Sequence, residues 1–324
     1  MSEELKGNEE KFINEIIASI GGIGEELRDT SSRLIKKSPA DIFGGLLKAA
    51  RDIITLDYFS REDKKNAIDI EPVNIDEFGY NPKYFEMVRG FYEFLFYKYF
   101  KTAIKGINNI PDSGSVIIVS NHSGALPLDG IMLRLALLNE HPSSRDIRFL
   151  IEDYIYNLPF AGTFMNRIGA VRACRENAER LLRKGKCIAV FPEGIQGISK
   201  LYKDRYKIQR FGRGGVIRLA IRNKVPVIPA AIVGAEEAYP MLFKIKRFAM
   251  IFGLPYIPVT YTFPFLGPLG LLPLPSKWMI QFGEPVRFDK LKKEDAEDTA
   301  LVSGYNESLR STIQNMINEL LVSR

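Results

Sequence analysis

The sequence predicts an α/β protein: a mainly parallel central sheet flanked by helices, with a helical extension at its N-terminus. Three observations carry that expectation. From Pro111 onward, short apolar runs alternate with helical stretches, the pattern of strands joined by helical crossovers. Before Asn81 there is only amphipathic helical spacing followed by a polar connection. The chain's 324 residues, 46% of them hydrophobic, are enough for one sizeable core plus a smaller appended unit.

Taken in order, Phe12, Ile13, Ile16, Ile17 and Ile20 recur at helical spacing and stop at Gly21-Gly22. A second helix opens at Ser38-Pro39-Ala40-Asp41, a cap followed by proline at the first helical position, and carries the stripe Ile42, Phe43, Leu46, Leu47, Ala50, Ile53 and Ile54. Residues 56–82 are polar, with scattered Asp, Asn and Pro, and read as a connection. The domain boundary therefore falls near Asn81, dividing 1–80 from 81–324.

Between Tyr84 and Ile104 the aromatic run FYEFLFYKYF predicts a helix apolar on most sides, buried in a core or lying against a membrane interface. The strands expected next are 115–120, 147–151, 169–173, 187–191, 225–233 and 278–282. Helices are expected around 130–138, 175–185, 213–223 and 294–322. Phe248 to Ser276 carries no charge, but prolines at 255, 258, 264, 268, 273 and 275 forbid a continuous spanning helix. A hydrophobic loop remains, one that rests on a bilayer, roofs an apolar tunnel or packs on the core.

Charge is unevenly spread. Lys and Arg number 45 against 39 Asp and Glu, a net +6, yet residues 1–80 hold 11 basic and 17 acidic side chains and the remainder is strongly basic. A basic body favours anionic partners such as phosphates or lipid headgroups. The two cysteines, Cys174 and Cys187, show no CxxC spacing and point to a reducing, cytosolic compartment. The opening MSEELKGNEE shows neither a secretory signal nor a lipidation motif. With two histidines in the chain, a multi-histidine metal site is excluded.

Three segments could carry chemistry. In SVIIVSNHSGALPLDG, Asn121, His122, Ser123 and Gly124 follow an apolar strand, and Asp129 opens the next helix. Loops after strand C-termini are where open α/β sheets gather ligands. An imidazole oriented by a carboxylate can take a proton near neutrality; alone, each is also an ordinary loop histidine and helix-start acid. In FPEGIQG, Phe191, Pro192, Glu193 and Gly194 follow a second strand, where a carboxylate and an open backbone can meet a polar headgroup, or simply make a tight turn. The third is the basic run Lys200, Lys203, Arg205, Lys207, Arg210, Arg213, Arg218, Arg222 and Lys224, interrupted by Asp204 alone. It suits carrier phosphates or a membrane surface, or a solvated face. Aromatic platforms are sparse among these residues, and nucleic acid is not expected as a partner.

Together these blocks resemble the glycerolipid and lysophospholipid acyltransferase superfamily, the PlsC-like fold. His122 and Asp129 match its first block. GTFMNRIGAVRA, with Gly162, Phe164, Arg167 and Gly169, matches its second, Phe191-Pro192-Glu193-Gly194 its third, and Val225-Pro226-Val227-Ile228-Pro229 its fourth. The likeness spans about residues 85–290, including the Gly283-Glu284-Pro285 turn. It departs twice: six residues separate His122 from Asp129, with Pro127 where the acid usually stands, and Gln196 replaces the arginine that usually binds phosphate after Phe-Pro-Glu-Gly.

The resemblance implies an O-acyltransferase working at a membrane surface without a cofactor. His122, held by Asp129, would be the general base. Glu193, with Asn121, Ser123, Gly124, Arg167, Phe191, Pro192 and Gly194, would hold the lipid acceptor, and backbone N–H groups of Ser123-Gly124 would meet the oxyanion. Arg205, Arg210 and Arg213 would grip the donor, acyl-CoA or acyl carrier protein, or stand in for the missing phosphate-binding arginine. Its implied location is cytoplasmic and peripheral to a membrane, with an uncharged glyceride or long-chain alcohol favoured over lysophosphatidate. A lipid-binding scaffold that keeps the fold without turnover is the rival reading. A serine hydrolase ranks last, because Ser123 lacks the G-x-S-x-G setting.

Overall fold

A computed structural model describes residues 75–324 apart from 125–127, 159, 248 and 250–252. The two expected N-terminal helices lie outside the described residues.

The elements run in order as α1 (Pro82–Glu93), β1 (Ala103–Lys105), β2 (Val116–Ser120), α2 (Leu128–Leu135), β3 (Ile147–Ile151), α3 (Ala161–Arg167) and β4 (Val171–Arg172). There follow α4 (Arg175–Arg183), β5 (Cys187–Val190), α5 (Ile195–Ile198), α6 (Gly215–Asn223), β6 (Val227–Val233) and α7 (Ala235–Ala238). Last come β7 (Met241–Ile245), β8 (Ile257–Thr260), β9 (Met279–Phe282) and α8 (Thr299–Val322). Seven strands form one sheet in the order β1-β9-β6-β2-β5-β3-β4. Its pairings are parallel except between β6 and β9.

The sheet follows from the apolar runs. Every residue of β2 and β6 is buried, as continuous Val/Ile-rich strands covered on both faces must be. On one face α8 lies across β6, with Leu309, Ile313, Met316, Ile317 and Leu320 buried; Asp298 caps its start by accepting from the N–H groups of Ala300 and Leu301. All six expected strands are present, some trimmed at their ends.

The aromatic helix is shorter than expected. Asn81 caps it and Pro82 opens it. It passes into a π-helical turn at Phe94–Tyr99, and Lys101, at φ +48°, ends it. The chain then turns into β1, where the sequence pattern predicts helix, because Ala103–Lys105 finds a strand partner in Met279–Gln281. Phe85, Val88, Phe96 and Phe100 are fully buried, as the core reading of this segment expects, whereas Phe91, Phe94 and Tyr97 are exposed.

The uncharged stretch after residue 248 holds β8, which forms a separate antiparallel hairpin with β7. Beyond the hairpin, Tyr261, Phe265, Leu266, Leu269 and Leu272 stand more than half exposed. Residues 75–80, polar enough to read as linker, are tied to the body: Asp76 pairs with Arg148, and Arg134 donates to the Tyr80 hydroxyl at 2.9 Å.

Candidate active site

Three neighbouring parallel strands, β2, β5 and β3, end side by side, and the segments leaving them hold His122, Glu193 and Glu152. His122 leaves β2 and meets the first turn of α2, where Asp129 is fully buried. Nδ1 of His122 lies 2.5 Å from Oδ2 of Asp129. The same carboxylate accepts the Ser123 N–H through Oδ2 at 3.2 Å and the Gly130 N–H through Oδ1 at 2.9 Å. With the carboxylate held by backbone donors, the imidazole is fixed with Nδ1 inward, and Nε2 makes no hydrogen bond to a described residue. The longer loop thus still delivers the acid to the histidine. The His122 ring stacks on Phe191, with centroids 4.5 Å apart, and its side chain is 15% exposed.

Glu193 departs from its expected role. Its side chain is wholly buried; Oε1 accepts the His122 N–H at 2.8 Å and Oε2 the Gln209 N–H at 2.6 Å. One oxygen fixes the histidine loop and the other the segment at Gln209, so both are engaged by backbone donors. Behind it lies Lys200, whose Nζ is 2.8 Å from Oε1 of Glu236 and 3.5 Å from Oε2 of Glu193. Glu236 also accepts the Tyr206 N–H at 2.5 Å. The Lys200–Glu236 approach is a charge contact without an aligned hydrogen bond. Burial raises the Glu236 pKa above the usual carboxylate value, and the ammonium only partly offsets this. Lys200, read in the sequence as one of a basic run for carrier phosphates, a membrane surface or solvent, is thus a buried counter-ion.

Gly197 explains the glycine in FPEGIQG. A Cβ there would lie 2.8 Å from the Cβ atoms of both His122 and Glu193, so no side chain fits between them. Gly194, at φ +54°, makes the sharp exit before α5.

Other expected site residues serve the scaffold. Asn121 is buried, donating to the Ile232 carbonyl at 2.9 Å and accepting its N–H at 2.8 Å, which joins β2 to β6. The Ser123 N–H, expected as an oxyanion donor, is taken by Asp129, because a buried carboxylate needs its donors. Its hydroxyl is buried with no hydrogen-bond partner among the described residues. Gly124, Gly197, Lys200 and Glu236 line one small cavity. Arg167 is exposed over the Tyr84 ring, on the α1 side.

The basic run divides. Arg218 and Arg222 pair with Glu297, and Arg205 lies over the ring of Tyr202. Arg210 and Arg213 are exposed and make no hydrogen bond or ion pair among the described residues. They flank the Phe-Pro-Glu-Gly turn, because Gln209 donates to Glu193 and Gly212 donates to the Pro192 carbonyl at 3.1 Å.

A model of the Acyltransferase family matches residues 101–233, the interval that holds all these strand exits. An uncharacterised protein of Mycobacterium leprae (strain TN) is 45% identical over 251 residues, 77% of this chain and 68% of that protein. The DGAT1/2-independent enzyme synthesizing storage lipids of Bos taurus is 24% identical over 216 residues, 67% of this chain and 59% of the bovine enzyme. Among solved structures, the 1-acyl-sn-glycerophosphate acyltransferase PlsC of Thermotoga maritima aligns with a TM-score of 0.49 at 17% identity, covering 86% of this chain and 97% of that one.

Proposed function

The chain belongs to the acyltransferase family, and from that premise we propose that it moves a fatty acyl group from a thioester donor, acyl-CoA or acyl carrier protein, to an uncharged glyceride or long-chain alcohol, with His122 as general base. The 2.5 Å contact between His122 and the buried Asp129 carries the proposal. Nε2 of His122 takes the proton as the acceptor oxygen attacks the thioester carbonyl. The C–S bond then breaks, and the departing thiolate recovers the proton from the imidazolium, so no acyl-enzyme is needed. Arg210 and Arg213, unpaired beside the turn, suit the donor's phosphates.

Gln196 supports an uncharged acceptor, since it offers no charge to a phosphate. The bovine relative is named for synthesizing storage lipids, which accords with a lipid acceptor. The test is thiol release from acyl-CoA with monoacylglycerol, diacylglycerol, lysophosphatidate and a long-chain alcohol run in parallel. The expected result is fastest turnover with an uncharged acceptor; a preference for lysophosphatidate overturns that part of the reading.

Among the described residues no helix is long and apolar enough to cross a membrane. The surface beyond the hairpin supports peripheral docking instead. Phe265, Leu269 and Leu272 are 77%, 68% and 60% exposed; at the opposite end of the hairpin, past Ile245, Lys246 and Arg247 are exposed cations. The hairpin is tied to the active-site turn: the Tyr256 hydroxyl donates to the Ile198 carbonyl at 3.1 Å and Lys244 reaches the Ser199 hydroxyl at 3.3 Å. Lipid drawn to this patch arrives beside α5. Each such apolar side chain contributes about 1.5–3 kcal/mol when fully buried. The double substitution Phe265→Asp, Leu269→Asp is therefore expected to lower sedimentation with anionic phospholipid vesicles by roughly tenfold or more, while turnover of a short-chain, water-soluble acceptor is unchanged. Equal sedimentation of variant and wild type assigns docking elsewhere.

A further inference from the structure

Glu152 leaves β3 as His122 leaves β2, with β5 between them. Val119 pairs with Val190 and Phe149 with Ala189. Continued past the strand ends, that register sets His122 level with Glu193 and Glu152 level with Pro192. Adjacent strands lie about 4.8 Å apart, so the two backbones stand roughly 10 Å apart across the Phe-Pro-Glu-Gly turn. The Glu152 side chain folds back onto that turn, since a Cβ added to Gly194 would lie 2.2 Å from its Oε1. Tyr154, on the same corner, packs against Ile198, Met241 and Tyr256, and burial raises the pKa of its phenol.

The neighbouring acids each have a charge partner or backbone donors. Asp153 makes a two-pronged pair with Arg172, Glu193 accepts two backbone N–H groups, and Glu236 has Lys200 and the Tyr206 N–H. Glu152, half-buried, makes no side-chain hydrogen bond or ion pair among the described residues. A carboxylate kept partly out of water without a donor is unfavourable unless a ligand supplies one. The acids outnumber the buried cations here, because Glu193 and Glu236 share one ammonium, so a neutral hydrogen-bond donor suits this corner better than an anion.

We propose that Glu152 selects the acceptor: its carboxylate accepts a hydrogen bond from a second hydroxyl of a monoacylglycerol-type acceptor and repels a phosphate at that position. This rests on the acyl-transfer reading above and names what that reading leaves open, a polyol headgroup with a determinant on β3. An acceptor hydroxyl deprotonated at His122 leaves its neighbouring hydroxyl pointing across the turn toward Glu152. A phosphate there would sit against unscreened negative charge in a half-buried site.

The test compares wild type with Glu152→Gln, using thiol release from acyl-CoA with monoacylglycerol and with lysophosphatidate. Gln keeps the shape and removes the charge, and a group without partners is not expected to cost stability. The expected result is a KM for monoacylglycerol raised several-fold, kcat/KM for lysophosphatidate raised roughly tenfold, and an unchanged KM for acyl-CoA. A purely structural role would alter both acceptors alike. If wild type turns over monoacylglycerol and the ratio of the two acceptors is the same in Glu152→Gln, the selector role fails and the transferase reading stands. Absence of thiol release with every acceptor removes both.

Discussion

His122→Ala is expected to lower thiol release by roughly 10²–10⁴-fold, the usual contribution of a positioned general base, with the KM for acyl-CoA little changed. The loop survives the substitution. Glu193 binds the main-chain N–H of residue 122, which alanine retains, and Asp129 keeps its bonds to the N–H groups of Ser123 and Gly130. What disappears is the imidazole with its stacking on Phe191. The circular dichroism spectrum should therefore match wild type while single-turnover acyl transfer collapses, and only the chemical step is lost. Wild-type turnover in a folded His122→Ala protein would take the residue out of the mechanism and leave Asp129 a helix-start acid with an ornamental neighbour.

The fold was legible where strands are buried on both faces. In β2, β5 and β6 an unbroken apolar run is both the sequence signal and the physical requirement, so the strands and their order along the chain could be read together. β1 was not legible, because Ala103–Lys105 is a strand only through Met279–Gln281, far along the chain. Spacing also gave residue types without directions. Asn121 and Glu193 stand at the right strand exits, yet Asn121 turns inward to Ile232 and Glu193 to the backbone of His122 and Gln209. Lys200 sits in a basic run, and nothing in that run separates it from the exposed Arg210 and Arg213. Its distinction comes from Glu236, which a separate strand brings beneath it. Glu152 was overlooked for the converse reason: a single acid after an apolar strand carries no pattern, and only register sets it opposite the histidine.

The largest expected effect on stability is that of Lys200→Met. The ammonium is 4% exposed and sits between Glu193 and Glu236, whose side chains are 0% and 7% exposed. Removing one member of a buried ionic group leaves charge uncompensated, at a cost of about 3–5 kcal/mol. The loss should depend on pH in a definite direction. Burial already raises the folded-state pKa of Glu236, and without Lys200 the rise is larger. A carboxyl whose folded pKa exceeds its unfolded one favours the fold below the unfolded value, and that contribution fades as pH climbs through the folded value. Lys200→Met should therefore be furthest below wild type in urea denaturation near neutral pH and above, and closest to it in mild acid, where Glu236 takes up a proton. Adding Glu236→Gln removes the stranded charge chemically, so the double variant should regain much of the stability at neutral pH and lose the extra pH dependence. A Lys200→Met deficit equal at all pH values, or no rescue by Glu236→Gln, would mean that the lysine's packing, and not its charge, supports the histidine loop.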